Sequence, residues 1–340
     1  MANVYYCRKM PLYEGIGLIS EKHAVVLDIG AAYTKCGYAG ELTPRCIVPS
    51  LSRDGTALHD LDSEDEIYNE LVPFIHTLYF KWLLVNPKDR RVVIIESILG
   101  SIKFKVGIER LTLDPSNSRV DLLNRGNLIF GENKETSRPV AHSPEILTNQ
   151  IVEDILVRCC LVTSIENGKD IYQISQDASS VSSLSTCLNS CPPTVRYPIG
   201  GDCMLLIDGV TRAGSAEVLW HLDGEDAIRS CPIDSRRELA NNLVLVGGVT
   251  MMPGFKSRLN QELMSLLNTP KYKDLKIREF KVHQPPTKPN LATWLGGAIF
   301  GATDVVVTRS LPREQYLKDP CVPDWANLRF NSVYMEERQG

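Results

Sequence analysis

The sequence lacks the marks of several protein classes. No block of lysine and arginine stands out in a chain whose formal net charge is −4, so nucleic acid is not an expected partner. The N-terminus has no apolar core of signal-peptide length, and the mostly apolar run at residues 291–302 is too short to span a bilayer. We therefore expect a soluble protein with no direct membrane insertion.

Catalytic and metal-binding patterns are also absent. Ten cysteines are scattered without the spacing of a zinc site, and only six histidines are available to assist them. The sequence contains no Ser-His-Asp, paired-carboxylate or P-loop pattern. We therefore name no catalytic residue and no direct metal ligand, and we expect free thiols in a reducing compartment, the cytosol or nucleus.

What the chain does contain is enough apolar sequence for a large core. Its 340 residues are 43% hydrophobic, which predicts a globular protein of two domains or two lobes. Predicted strands alternate with predicted helices along the whole length, and this order indicates an α/β fold.

The stretch at residues 241–255 predicts a strand, a glycine turn and a helix. Leu243 to Val246 form a short apolar run, which suits a strand that is buried on both faces. Gly247 and Gly248 allow positive φ and close approach of a ligand. A helical stripe begins at Phe255, and free N–H groups at such a helix start favour anions. A plain connection in an α/β sheet explains the same pattern.

A second stretch predicts a tight hairpin near the N-terminus. A buried strand ends at Asp28, Gly30 makes the turn, and residues 33–38 form the returning strand. The N–H groups of such a turn can point at a phosphate, with Lys35 close enough to add charge, and Asp28 can hold the water shell of a divalent cation. The alternative is a structural hairpin with a solvated lysine and an aspartate at a strand end.

Residues 100–149 differ in character from the rest of the chain. Hydrophobic periodicity fades there, and polar and turn-forming residues dominate. Such a segment buries little apolar surface to offset its ordering entropy, so we expect it to be loosely ordered.

Two distant blocks of the sequence resemble actin and the actin-related proteins. The first resembles their first phosphate loop, and the second resembles their adenosine-side half. The first block consists of Leu27-Asp-Ile-Gly30, Lys35-Cys-Gly and Pro49-Ser50, and the second of Cys231-Pro-Ile-Asp234, residues 241–254, Pro285-Pro286 and Trp294-Leu-Gly-Gly-Ala-Ile299. Residues 84–96 and 271–301 are most similar to the actin-related subunit at the pointed end of dynactin. The resemblance covers about residues 10–99 and 150–330.

This family implies an α/β, two-lobed actin/Hsp70-like (ribonuclease H-like) fold, with ATP or ADP and Mg in a cleft between the lobes. The positions that correspond to its nucleotide contacts are Asp28, Gly30, Ala31, Ala32, Tyr33, Lys35, Gly247, Gly248, Val249, Thr250, Met251 and, more loosely, Lys288. Asp28 corresponds to the aspartate on the cation side, where it acts through water.

The departures from the family weaken this nucleotide site. Ala31 and Ala32 replace a serine and a glycine, so one hydroxyl donor is lost, and Glu153 and Leu156 stand where actins carry basic residues. Residues 100–149 replace the segment that holds the catalytic glutamine and the second phosphate hairpin. We therefore expect nucleotide binding to be weak, enzyme activity to be absent and the junction between the two nucleotide-binding lobes to be incomplete.

The resemblance also predicts a domain division. It gives an atypical extension at 1–9, a first lobe at 10–99 with a shortened subdomain 2, and a segment at 100–149 that does not match the family. Regions like subdomain 4 at 150–230 and subdomain 3 at 231–290 follow, with a return to subdomain 1 at 291–340.

The function implied by the resemblance is structural. At the position of residues 49–67 of this sequence, actins carry a lobe that inserts into the next protomer. Here only a short acidic connection remains. A subunit without this lobe can join a filament end and stop growth there. The expected role is a cap on the pointed end of dynactin's actin-like filament in the cytoplasm and cytoskeleton, which supports dynein-based transport and cargo attachment. Its expected partners are the filament subunits and the other pointed-end subunits.

Three alternatives remain open at this point. A chromatin-complex subunit of the nuclear actin-related kind is one, although such proteins often carry long insertions where this chain is short. An ATPase or small-molecule kinase of the same superfold is another, because fold does not fix function. A form that does not fold stably as one unit is the third.

Overall fold

The computed structural model describes residues 23–61, 63–87, 90–95, 127–130, 137–139, 148–176, 191–200, 203–220 and 227–318. Within these ranges strands and helices are mixed along the chain, but they come in runs, such as three successive strands at 25–49 and three successive helices at 292–318, and do not alternate one by one as the sequence predicts. The strands are β1 (Val25–Ile29), β2 (Tyr33–Tyr38), β3 (Cys46–Pro49), β4 (Val92–Ile95), β5 (Asn127–Phe130), β6 (Ser137–Pro139), β7 (Val195–Gly200), β8 (Cys203–Ile207), β9 (Leu243–Val244) and β10 (Val282–His283).

The α-helices account for most of the remaining regular structure. They are α1 (Glu64–Thr77), α2 (Asn149–Cys159), α3 (Ile165–Gln176), α4 (Gly209–Gly214), α5 (Ala227–Ser230), α6 (Ile233–Asn241), α7 (Phe255–Leu267), α8 (Ala292–Gly301), α9 (Val305–Thr308) and α10 (Arg313–Lys318). A π-helical turn at Leu78–Leu83 continues α1 past its internal Pro73. The α3 helix was not predicted from the sequence.

The predicted hairpin forms the centre of a four-stranded sheet with the order β3-β2-β1-β4. The β1 and β2 strands are antiparallel and pair Asp28 with Lys35, while β4 runs parallel to β1. One face is covered by the π-helical turn through Leu78, Tyr79 and Leu83, and the other by α8 through Trp294. The sheet therefore places the hairpin tip next to the start of α8.

The run Arg91-Val-Val-Ile-Ile-Glu96 predicts a buried strand, and this prediction is wrong for one face of β4. Val93 and Ile95 pack under α8, but Val92 and Ile94 are exposed, with 63% of the Ile94 surface accessible. The covering helical turn packs on β1 to β3 and leaves this part of β4 open.

The second sheet has the order β6-β5-β8-β7 and contains part of the segment that was expected to be loosely ordered. The β5 strand pairs antiparallel with both β6 and β8. The expectation for residues 100–149 is therefore wrong at these two strands, because the run Asn127–Phe130 is apolar enough to add to a sheet edge. The other residues of that segment, except 148 and 149, lie outside the described residues.

The stretch at 241–255 forms the predicted turn and helix but a shorter strand. Only Leu243–Val244 is extended, in parallel with β10, and Val244 and Val246 are exposed. The prediction of a strand buried on both faces is wrong, because among the described strands β9 has a single neighbour of two residues. The following helix α7 is confirmed.

Residues 50–63 form a compact connection between β3 and α1. Ser50 is buried; its N–H donates to the Ala32 carbonyl at 3.0 Å, and its own carbonyl accepts from Leu58 N–H at 3.0 Å. A single bridge between Leu51 and Ala57 and one 3₁₀ turn complete the segment. The described residues between β3 and α1 thus build no separate lobe.

No single helix in the described ranges is long and apolar enough to cross a membrane. The pair Pro289–Gly301 and Val305–Lys318, bent by 81°, passes on length and composition alone. Its first member buries Trp294 and Ala298 against the sheet, as a core helix does.

Candidate functional site

The hairpin brings Asp28 and Lys35 together, as predicted, but they contact each other. Lys35 Nζ lies 2.9 Å from Asp28 Oδ2, and both side chains are about nine-tenths buried. Thr293, near the start of α8, donates a second hydrogen bond of 2.9 Å to the same oxygen. The lysine charge is therefore already balanced by a carboxylate within the fold.

The N–H groups of the hairpin tip divide into used and available donors. Gly30 N–H donates to Tyr33 O at 3.2 Å, which closes the turn. A Cβ at Gly30 would lie 2.8 Å from that same oxygen, so this position requires glycine. The N–H groups of Ala31 and Ala32 have no acceptor among the described residues. Two donors rather than a full loop are thus free to meet an anion.

The adenosine-side turn is open where a ligand would approach. Gly247 has a φ of +100°, which favours glycine, and the Thr250 hydroxyl donates to its carbonyl at 2.8 Å. A Cβ placed on Gly247 or Gly248 would meet no atom within 4 Å. Val249 and Met251 are exposed beside this space.

The two halves of the predicted site are joined by the segment that contains Lys288. Gly247 N–H donates to the Pro289 carbonyl at 2.9 Å, and one helical turn further on Thr293 reaches Asp28. Because this distance along the chain corresponds to about 6–8 Å, both halves border the same short segment. Lys288 itself is exposed, and its carbonyl accepts from Leu291 N–H at 2.8 Å.

Asn290 lies between these two anchor points and carries an unsatisfied acceptor. Its Oδ1 atom is buried and has no hydrogen-bond partner among the described residues. A buried acceptor without a partner costs about 1–3 kcal/mol unless a water or a ligand donor satisfies it.

The residues present fit a nucleotide on one side only. The open turn leaves room for a base, whereas the phosphate side has two N–H donors without an acceptor among the described residues and a lysine that is already paired. For the cation, the described residues hold no group of three or more His, Cys, Asp or Glu side chains placed to bind a metal. Both hydrogen bonds to Asp28, from Lys35 and Thr293, end on Oδ2, so Oδ1 is the oxygen that could hold a water of the cation's shell.

Two residues of this site were missed in the sequence. Thr293 contacts Asp28 across 265 positions of the chain, and no local pattern signals such a contact. Asn290 follows a Lys-Pro pair that predicts only a turn. The block Trp294-Leu-Gly-Gly, which did carry the resemblance, lies directly after Thr293 and was the available signal.

Comparison with known proteins supports the family resemblance. The Actin family model matches residues 220–319, which include the open turn, Asn290 and Thr293 but not Asp28 or Lys35. The chain is 22% identical to "Actin-related protein 10" of Dictyostelium discoideum over 458 aligned positions, which cover 94% of this chain and 93% of that protein. This alignment is longer than the 340-residue chain, so the relative has segments that this chain lacks.

A second relative matches over a shorter length. The chain is 32% identical to "Putative actin-29" of Dictyostelium discoideum over 93 residues, 27% of this chain and 23% of that protein. The matches to the Actin family model and to Actin-related protein 10 confirm the resemblance of this chain to the actin-related proteins.

Proposed function

We propose that this protein caps the pointed end of dynactin's actin-like filament and does not polymerise by itself. The match to Actin-related protein 10 supports an actin-related structural role. In the proposed role the protein works in the cytoplasm as part of the cytoskeleton and binds filament subunits and other end subunits. Through them it supports dynein-based transport.

The observation that carries the proposal is the connection between β3 and α1. Its buried Ser50, the Leu51–Ala57 bridge and a single 3₁₀ turn use up the residues in which actins would build an inserting lobe. Head-to-tail contacts extend without limit unless one face is disabled. A protomer without this lobe can contact a filament through its other face and then offers no equivalent contact to the next protomer.

The face proposed to bind the filament contains α7 and α10. On α10, Tyr316 and Leu317 are exposed, with 69% of the Leu317 surface accessible. On α7, Leu266 is 46% exposed. We extend this proposed face to residue 325, and residues 319–325 lie outside the described residues. We also propose that the sheets and helices form the two lobes of the actin fold, with the candidate site in the cleft.

The capping proposal predicts a one-ended interaction with filaments. The isolated protein should stay in the supernatant on sedimentation, and short actin-like filaments of dynactin should carry it down at about one copy per filament, because only one end is accepted. Leu317→Asp should abolish this co-sedimentation, since it places a charge in an apolar contact. Leu42→Asp is the matched control, because Leu42 is also exposed, at 79%, and lies outside the proposed face. Self-assembly, or binding along filament sides, would contradict the proposal.

Because the candidate site fits a nucleotide on one side only, we predict weak nucleotide binding. At about 1 mM Mg-ATP a dissociation constant in the millimolar range adds about 0.4 kcal/mol of stability, which raises the melting temperature of this 340-residue chain by about 0.6 °C. Gly248→Leu should remove even this shift, because its side chain fills the open turn while its φ of −65° suits any residue. Gly296→Leu is the control, since a Cβ there also meets no atom within 4 Å.

A separate measurement, phosphate release, tests for enzyme activity. Phosphate release by the purified protein, with or without filaments, should not exceed the rate without protein, since phosphoryl transfer depends on positioning and charge stabilisation that the paired Lys35 does not offer. A melting shift above about 5 °C, which corresponds to micromolar affinity, or turnover like that of actin would overturn this view.

A further inference from the structure

A cavity of about 720 Å³ opens beside the first turns of α7. One wall comes from Lys256, Ser257 and Asn260 of the helix, and the other from Phe280, Lys281 and Val282 in the segment that leads into β10. Its lining combines two cationic side chains and several polar ones with the apolar side chains of Met252, Phe280 and Val282. No acidic residue lines it in the part of the chain that the structure describes.

The segment beside this cavity is basic in a chain that is acidic overall. Residues 271–288 contain six lysines and arginines but only two acidic residues, whereas the whole chain has a formal net charge of −4. Cationic side chains alternate there with Leu275, Ile277 and Phe280, which are half-buried. Lys276, Arg278 and Lys281 are thus exposed on the segment that leads along the chain into the wall of the cavity.

Three cations at or near the cavity have no carboxylate partner among the described residues. The two acidic side chains of the segment are engaged, since Glu279 pairs with Lys281 at 3.0 Å and Asp274 lies 3.9 Å from Arg229. Lys256, Lys276 and Arg278 are exposed and form no ion pair with a described residue. The positive end of the α7 dipole adds to the potential at the cavity mouth.

We propose that this cavity and the cations Lys256, Lys276, Arg278 and Lys281 bind an acidic linear segment of a partner protein, with an apolar side chain of that segment in the cavity. The net positive charge of these residues, of which only Lys281 is paired, selects carboxylates and speeds encounter. The apolar side chains Met252, Phe280 and Val282 that line the cavity favour a peptide with an apolar side chain over a nucleic acid.

The proposed partner site borders both sites discussed above. It shares Thr250 with the predicted nucleotide turn, and its wall on α7 belongs to a helix of the filament face, although none of Leu266, Tyr316 and Leu317 lines the cavity. The test below contains no filament and no nucleotide, so its failure would leave the capping proposal standing.

Fluorescence anisotropy with the full chain tests the proposal. The probe is a fluorescein-labelled peptide of four Glu-Glu-Leu repeats, titrated at about 50 mM and about 200 mM salt. Binding should weaken at the higher salt, because exposed charges are screened. The double variant Lys256→Glu with Lys281→Glu should bind roughly tenfold more weakly or worse, since two favourable exposed pairs become repulsive. Lys169→Glu on α3, which is exposed and outside the cavity, should bind as the wild type does.

Two further probes examine the chemistry of the ligand. Replacing leucine by serine in the peptide should weaken binding several-fold, and replacing glutamate by glutamine should abolish it. Equal binding of the peptide to wild type and to the double variant, with both folded by circular dichroism, would overturn the proposal. So would tighter binding of single-stranded oligothymidylate than of the peptide, which would indicate a nucleic-acid site.

Discussion

Glu217→Gln should destabilise the protein by about 3 kcal/mol, because it breaks a fully buried ion pair and leaves the Arg258 guanidinium with a single carboxylate, the partly exposed Glu262 at 2.8 Å. Arg258 Nη2 lies 3.0 Å from Glu217 Oε2, and both side chains are 1% exposed. Arg258 also donates to the carbonyls of Thr163 and Ser164 at 3.1 and 3.0 Å, and its guanidinium lies 5.3 Å from the Trp220 ring centroid. The substitution therefore leaves the Arg258 guanidinium, which fixes the start of α7, without its buried partner.

The measurement is denaturant unfolding, with two comparison variants. Glu217→Leu combined with Arg258→Met should recover most of the lost stability. Replacing both partners by apolar groups removes the buried charge that Glu217→Gln leaves without its partner. Arg53→Gln breaks an ion pair whose arginine is 73% exposed and should leave the midpoint almost unchanged. A Glu217→Gln protein as stable as Arg53→Gln would show that the pair contributes nothing.

The buried pair also explains a glycine that sequence patterns could not. A Cβ on Gly168 would lie 2.4 Å from both Arg258 Nη1 and Glu217 Oε2. The pair occupies the space of the missing side chain. Nothing in the stripe of α7 marks Arg258 as buried, because a periodicity argument assigns a charged residue to the solvent side.

Local patterns did predict the elements that depend on adjacent residues. The hairpin of β1 and β2, its turn at Gly30 and the helix after Pro253 are all confirmed, since turn chemistry and helical period act over a few residues. The predicted burial of Val246 and Ile94 is wrong. An apolar run shows that a strand can be buried, but which element covers it is decided by distant parts of the chain.

The candidate site was predictable to the same extent. Asp28, Lys35 and Gly247 were found from their positions after strands and in turns, and the structure places their two loops on one segment. The pairing of Asp28 with Lys35 follows from the register of β1 and β2, which was not assigned from the sequence. This register turns two expected ligand contacts into one internal ion pair.

Trp294→Ala should lower the free energy of unfolding by about 3–5 kcal/mol, as expected for removing a fully buried aromatic side chain. Trp294 is 0% exposed, and its Nε1 atom donates to the Val26 carbonyl at 3.4 Å. Gly37 makes room for it, because a Cβ there would lie 2.7 Å from the indole. The indole therefore fills the space between α8 and the central sheet.

This substitution should also loosen the candidate site, because Trp294 directly follows Thr293, whose hydroxyl holds Asp28 at 2.9 Å. Chemical denaturation measures the loss of stability, and hydrogen exchange of the β1 and β2 amides measures the loosening, since local opening exposes them. Ile299→Ala on the same helix is the control, because Ile299 is 58% exposed and its removal leaves no enclosed cavity. If both variants unfold at the same denaturant concentration, α8 does not anchor the sheet. If Trp294→Ala is destabilised but amide exchange in β1 and β2 stays at the wild-type rate, the site is held by the Asp28–Lys35 pair without help from α8.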